Sequence, residues 1–138
     1  MSTIERNALK ALASYCPLFA AEDFSCGEWI DPAPRQDGRL IFGYFSLSAP
    51  ATDFYEAVYE FGWIRRDFDW SAWGTSLEGE ELLNGMAGIS SASAEQLSNL
   101  LTVCVRADRF VEGRLAGDFR SGLILAICRR AQELLTEG

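Results

Sequence analysis

The sequence contains no histidine. Histidine is the usual general base near neutral pH and the commonest transition-metal ligand. Its absence removes Ser-His-Asp and Cys-His catalysis, two-histidine zinc sites and imidazole proton relays from what this chain can do alone. The four cysteines, Cys16, Cys26, Cys104 and Cys128, form no C-x-x-C pair, so zinc-ribbon and thioredoxin-type motifs are missing too. Lysine occurs once, as Lys10, against eleven arginines. Uninterrupted apolar runs reach only about five residues, far short of a membrane span. Neither G-x-x-x-x-G-K-[ST] nor G-x-G-x-x-G occurs, which leaves no glycine-rich phosphate loop. The first residues, MSTIERNALK, have no apolar h-region and carry Glu5 early, so no signal peptide is expected. With no export signal, reduced cysteines and a cytoplasmic location are expected. Cys104 and Cys128 fall on apolar helical faces, where free cysteine behaves as a small core residue.

What is present describes an ordinary globular chain. Its 138 residues are 49% hydrophobic and 23% charged, which suits one compact domain over 1–138 with a core of its own. Twenty acids against twelve bases give a net charge of −8. That balance argues against direct nucleic-acid binding, which rests on clustered cations releasing counterions.

Helical punctuation dominates the chain. Ser2-x-x-Glu5 reads as a capping box for a first helix with Ile4, Ala8, Leu9, Leu12 and Tyr15 at helical spacing, stopped by Pro17. Residues 22–39 are polar and rich in Asp, Gly and Pro, and read as a loop. Leu40–Phe45 fits a strand, an extended segment or one arm of a hairpin. Ser48 and Pro50 open a second helix with Phe54, Ala57, Val58 and Phe61 on its apolar face and Gly62 as its stop. Asp69 is placed to cap a short helix from Trp70. Residues 74–92 are weakly patterned. Ser93 and Gln96 form a second capping box, followed by Leu97, Leu100, Leu101, Cys104 and Val105. Asp108 is placed to cap a short helix, and Asp118 or Ser121 to begin a terminal one. The expected fold class is mainly α, a single compact domain of about five helices, with a minor β hairpin near residues 40–45 as the optional addition.

Two stretches concentrate chemistry. Arg106 to Gly122 carries four arginines against three acids within an acidic chain. Arg106, Asp108, Arg109 and Glu112 suit either an arginine–carboxylate network that joins two helices or a receptor with an arginine directed at an anion. Phe68 to Trp73 places Trp70 and Trp73 three residues apart, on one side of a helix. These indoles suit core packing or an interface anchor, with Arg65 and Arg66 near enough for cation–π contact. The acids Asp67, Asp69, Glu80, Glu81, Asp108 and Glu112 offer oxygen ligands of the kind Mg²⁺ or Mn²⁺ accepts, without a recognisable spacing.

Phe68-Asp69-Trp70-Ser71-x-Trp73 and Arg106-x-Asp108-Arg109-Phe110-x-Glu112-Gly113, with Gly122 before the last helix, resemble the D-W-x-x-W and R-x-D-R-F-x-E-G motifs of a small bacterial family of unknown function. The resemblance runs from the first helix through Ile127. It implies a stand-alone, mostly helical cytosolic domain and brings no catalytic role. Where many such family members have a histidine, after the Glu-Gly pair or after the later glycine, this chain has Arg114 and Leu123.

The function expected from these features is a non-enzymatic interaction or regulatory module. Its partner would be a protein or a small anionic ligand, met through Trp70, Trp73, Arg106, Asp108, Arg109 and Glu112. No cofactor and no membrane association are expected, and an oligomer is left open. The alternative is a small metal-dependent enzyme acting on a phosphorylated or nucleotide substrate through Asp108 and Glu112.

Overall fold

A computed structural model of the chain describes residues 1–34, 38, 40–86 and 88–137. Its centre is the helix announced by the Ser93 capping box, α6 (Ala94–Asp108). The Gln96 amide donates to Ser93 Oγ at 3.1 Å, and the Gln96 side-chain oxygen accepts the Ser93 amide at 3.0 Å. The sequence pattern predicts one apolar face, but nine of the fifteen residues are buried. Leu97, Leu100, Leu101, Cys104 and Val105 lie in the core as expected, and Asn99, Thr102, Val103 and Ala107 are covered as well. The polar members of that second face are satisfied. Asn99 accepts from Arg65 Nη1 at 2.6 Å, and Thr102 Oγ1 accepts the Arg65 amide at 3.0 Å.

Around α6 lie α1 (Thr3–Ala13), α2 (Cys16–Ala20), α3 (Ala49–Glu60), α4 (Trp70–Thr75), α5 (Leu77–Glu80), α7 (Arg114–Arg120) and α8 (Leu123–Glu137). α1 packs along α8, while α4, α7 and α8 contact α6. Pro17 does not simply stop α1: it occupies the first turn of α2, where its missing N–H costs no helical bond. Ser48 caps α3 through the Ala51 amide. At the far end Gly62, at φ 77°, donates to the Tyr59 carbonyl while the Trp63 amide reaches the Val58 carbonyl. That pair of bonds is a Schellman stop and needs the left-handed conformation glycine supplies. Asp69 Oδ1 accepts the Ala72 amide at 3.0 Å and starts α4. The weakly patterned segment after α5 holds one π-helical stretch, Glu81–Gly85, and a 3-10 turn, Ile89–Ser91.

The β structure differs from expectation in its partner. β4 (Tyr44–Leu47) pairs antiparallel with β1 (Gly27–Ile30), inside the segment read as a loop. β2 (Ala33–Pro34) and β3 (Leu40–Ile41) continue the same hairpin outward. Positions 35–37 and 39 of the expected loop lie outside the described residues. Trp29 and Ile30 were outweighed by the surrounding Asp, Gly and Pro, although a lone strand at 44–47 has no stability without a neighbour.

One contiguous core links the helices. Its aromatic centre is built from phenylalanine and tyrosine, away from the tryptophan-rich stretch. Phe19 sits 5.3 Å from Tyr15, 4.9 Å from Phe24, 5.3 Å from Phe54 and 5.2 Å from Phe119, ring centre to ring centre. All four cysteines are free, and Cys104 and Cys128 are fully enclosed as expected, with burial pushing both thiols above the ordinary range. Among the described residues no helix is long and apolar enough to cross a membrane.

Candidate functional site

The R-x-D-R-F-x-E-G block spans the last turn of α6 and the bend into α7. The expected arginine–carboxylate network is not what holds this bend. Among the described residues neither Arg106 nor Arg109 is bridged to Asp108 or Glu112. Both carboxylates accept backbone amides instead. Asp108 Oδ1 takes the Leu115 N–H at 3.0 Å. The helix α7 opens on Gly113, which has no side chain to cap it, so Asp108 supplies that acceptor from the preceding helix. Glu112 Oε1 takes the Phe45 N–H at 2.9 Å and ties the bend to β4. Gly113 holds φ 90°, and a Cβ there would stand 2.8 Å from the Trp29 ring. The bend therefore requires glycine twice over, for its dihedral and for the indole seated on it.

The arginines face another way. Arg109 is exposed, and its Nη2 donates to Tyr59 Oη at 3.0 Å. Tyr55 and Tyr59, one turn apart on α3, lie 5.4 Å apart between ring centres. Hydrogen bonding to Tyr55 raises the Arg109 pKa, and burial together with Tyr55 raises that of Tyr59, so both groups keep their ordinary protonation. Arg106 is half-buried and its charge reaches Tyr59. Its Nε is buried with no hydrogen-bond partner. The two tyrosines were missed at the sequence level. They lie one turn apart on the flank of the Phe54–Val58 stripe of α3, and that spacing is the signal that could have found them.

The two tryptophans do not act together. Trp70 lies 5.9 Å from the ring of Phe110 at the tip of the bend and walls a cleft of about 230 Å³ with Val103, Ala107 and Arg114. Trp73 faces a different cleft, beside Arg65 and Phe68. Its indole N–H donates to Glu78 Oε2 at 3.0 Å, while Gln96 Nε2 donates to Glu78 Oε1 at 2.6 Å. Those two donors hold the Glu78 carboxyl below its usual value, Gln96 first. Trp73 thus joins α4 and α5 to the start of α6. The cation–π contact expected nearby is made to phenylalanine, with Arg65 4.5 Å from the Phe68 ring centre.

Phe110 is 78% exposed and Val111 63%. Behind the bend, Asp118 is buried, with one oxygen unpartnered and the other 3.4 Å from Arg114 Nε. Burial raises the Asp118 carboxyl, and the Arg114 charge offsets part of that effect. An apolar groove of about 320 Å³ lies at the other end of α6 between Ile4, Ala8, Leu9, Trp63 and Leu134. None of the six sequence-predicted residues lines it. No group of three His, Cys, Asp or Glu side chains among the described residues is spaced to hold a metal ion.

The predicted set therefore divides. Trp70 packs against Phe110, Arg109 bonds Tyr59 within reach of the Arg106 charge, Asp108 and Glu112 fasten the bend from within, and Trp73 belongs to a separate joint. No curated protein matches the chain, and no solved structure does. A family model spanning residues 4–137 matches nearly its whole length, and the chain belongs to that family of unknown function, DUF6508.

Proposed function

We propose that the protein is a non-enzymatic recognition module that binds a protein partner through the surface at the end of α6. The observation that carries this reading is the pair Phe110 and Val111, consecutive and largely exposed, with Trp70 against Phe110 and Arg109 preceding it in the chain. Single exposed apolar residues are ordinary, but contiguous ones carry a solubility cost and mark contact surfaces. Tryptophan, tyrosine and arginine are also the side chains that dominate binding hot spots. The bend that presents them is fixed from three sides, by Asp108, Glu112 and Gly113, so little ordering entropy opposes docking. The carboxylates of the enzymatic alternative are engaged with backbone amides of two different elements, which favours the recognition reading.

The test uses a phage-displayed library of random linear peptides panned on the folded chain. Enriched peptides should lose binding to the double variant Phe110→Ser, Val111→Ser, whose melting temperature should stay close to that of the parent because both side chains face water. Peptides that bind this variant and Trp70→Ala as tightly as the parent would overturn the reading.

A further inference from the structure

We infer that the partner presents an acidic side chain, received by Arg106 of α6 and Arg109 just past its end, with Tyr55 and Tyr59 of α3 beside them. This inference rests on the recognition reading and names the chemistry of that same surface.

In a chain with twenty acids and twelve bases, a cation meets a carboxylate more readily than the reverse. Arg65, Arg114 and Arg130 each do so, at 3.7, 3.4 and 3.1 Å, while six other described arginines, Arg106 and Arg109 among them, meet no carboxylate among the described residues. Arg106 in the last turn of α6 and Arg109 at its C-cap sit three residues apart, next to Asp108 and Glu112 in sequence, and among the described residues no carboxylate bridges either of them. The two neighbouring acids accept backbone amides and are held by them. Arg109 has a phenol oxygen as its hydrogen-bond acceptor, and Arg106 Nε, though buried, has none. The guanidinium fork fits a carboxylate with two parallel hydrogen bonds, and a tyrosine hydroxyl can donate a third. Phe110, next in sequence to Arg109, offers an apolar contact for the residue beside that acid. A polyanion is disfavoured as the occupant by the net charge of −8, whereas a single carboxylate feels mainly the local arginines.

The same panning decides the matter. Enriched peptides should carry Asp or Glu within a few residues of an aromatic or aliphatic side chain. Changing that acid to its amide, or Arg109→Glu in the protein, should weaken binding by about five- to tenfold, and added salt should weaken the parent pair further. A peptide with Lys in place of the acid should bind Arg109→Glu better than it binds the parent. Arg106→Met should also weaken binding, and urea denaturation of each variant separates loss of contact from loss of fold. Peptides that need Phe110 but carry no acid, or that bind Arg109→Glu and Arg106→Met undiminished, would overturn the inference while leaving the recognition reading intact. Peptides indifferent to Phe110 and Trp70 would overturn the reading itself. Inorganic phosphate alone, if it moved the Arg106 and Arg109 Nε–H resonances and displaced the peptides at equal concentration, would assign the pair to a free anion and overturn the inference.

Discussion

Helix α6 begins and ends in opposite states of polar satisfaction. At its start, Ser93, Gln96, Glu78 and Trp73 answer one another's donors and acceptors, and Arg130 is almost wholly buried beside them. Arg130 Nε donates to the Ala92 carbonyl at 2.8 Å, and its Nη1 reaches Glu133 at 3.2 Å and Glu137 at 3.1 Å. At its end, Arg106 keeps a buried donor without an acceptor and Arg109 lies in water beside a phenol. The same residue type serves as a cross-brace in one place and as an open contact in the other. The difference teaches that burial of an arginine says little about its role until each of its donors is followed to an acceptor.

The sharpest way to break this contrast is to remove the positive charge at each end. Arg130→Met should lower stability by about 2–4 kcal/mol, because the Ala92 carbonyl loses its donor and a well-packed guanidinium is gone. Arg106→Met should leave stability unchanged or slightly raised. Urea denaturation of the two variants decides it, and equal losses would erase the distinction. Next in size, Asp108→Ala should cost about 1–2 kcal/mol through the uncapped start of α7. Faster hydrogen exchange at the Leu115 amide should accompany that loss. Asp118→Asn should raise stability by about 1 kcal/mol at pH 7, since it removes a buried carboxylate with one unpartnered oxygen. The sign follows from proton binding. The folded state holds the Asp118 proton more tightly than the unfolded chain, so this group's contribution falls as pH rises from its ordinary 3.8 through the raised native value. The advantage of Asp118→Asn should therefore shrink on acidification, which denaturation at a series of pH values measures. Smallest of all, Arg109→Ala should change stability by less than about 0.5 kcal/mol, as befits an exposed contact residue.

The long helices could be read from the sequence because their signals are local. A cap, a stripe and a stop lie within one window at Ser93–Val105 and again at Ser48–Gly62. The strand Gly27–Ile30 could not be read that way, because its stability comes from residues seventeen or so positions later across the hairpin. Trp70 and Trp73 were placed on one side of a helix by periodicity, but a six-residue helix flanked by different neighbours puts them in two clefts. The motif Arg106–Gly113 was recognisable as a unit, yet its division of labour was not. Asp108 meets an amide seven residues on and Glu112 one sixty-seven residues back, and side-chain type alone does not separate an ion-pair partner from a backbone acceptor.

The contact between Glu112 and the Phe45 amide has a consequence for solubility. Phe42–Leu47 contains no charged residue and no proline, and its aromatic β-forming character is that of segments that recruit further strands into fibrils. Phe45 stands opposite Trp29 in the hairpin, and its N–H points to Glu112, outside the two-stranded ladder. A carboxylate on that amide occupies a bond an incoming strand would need and sets a negative charge along the open edge. The helical bend thus lends β4 a gatekeeper that the segment Phe42–Leu47 itself lacks.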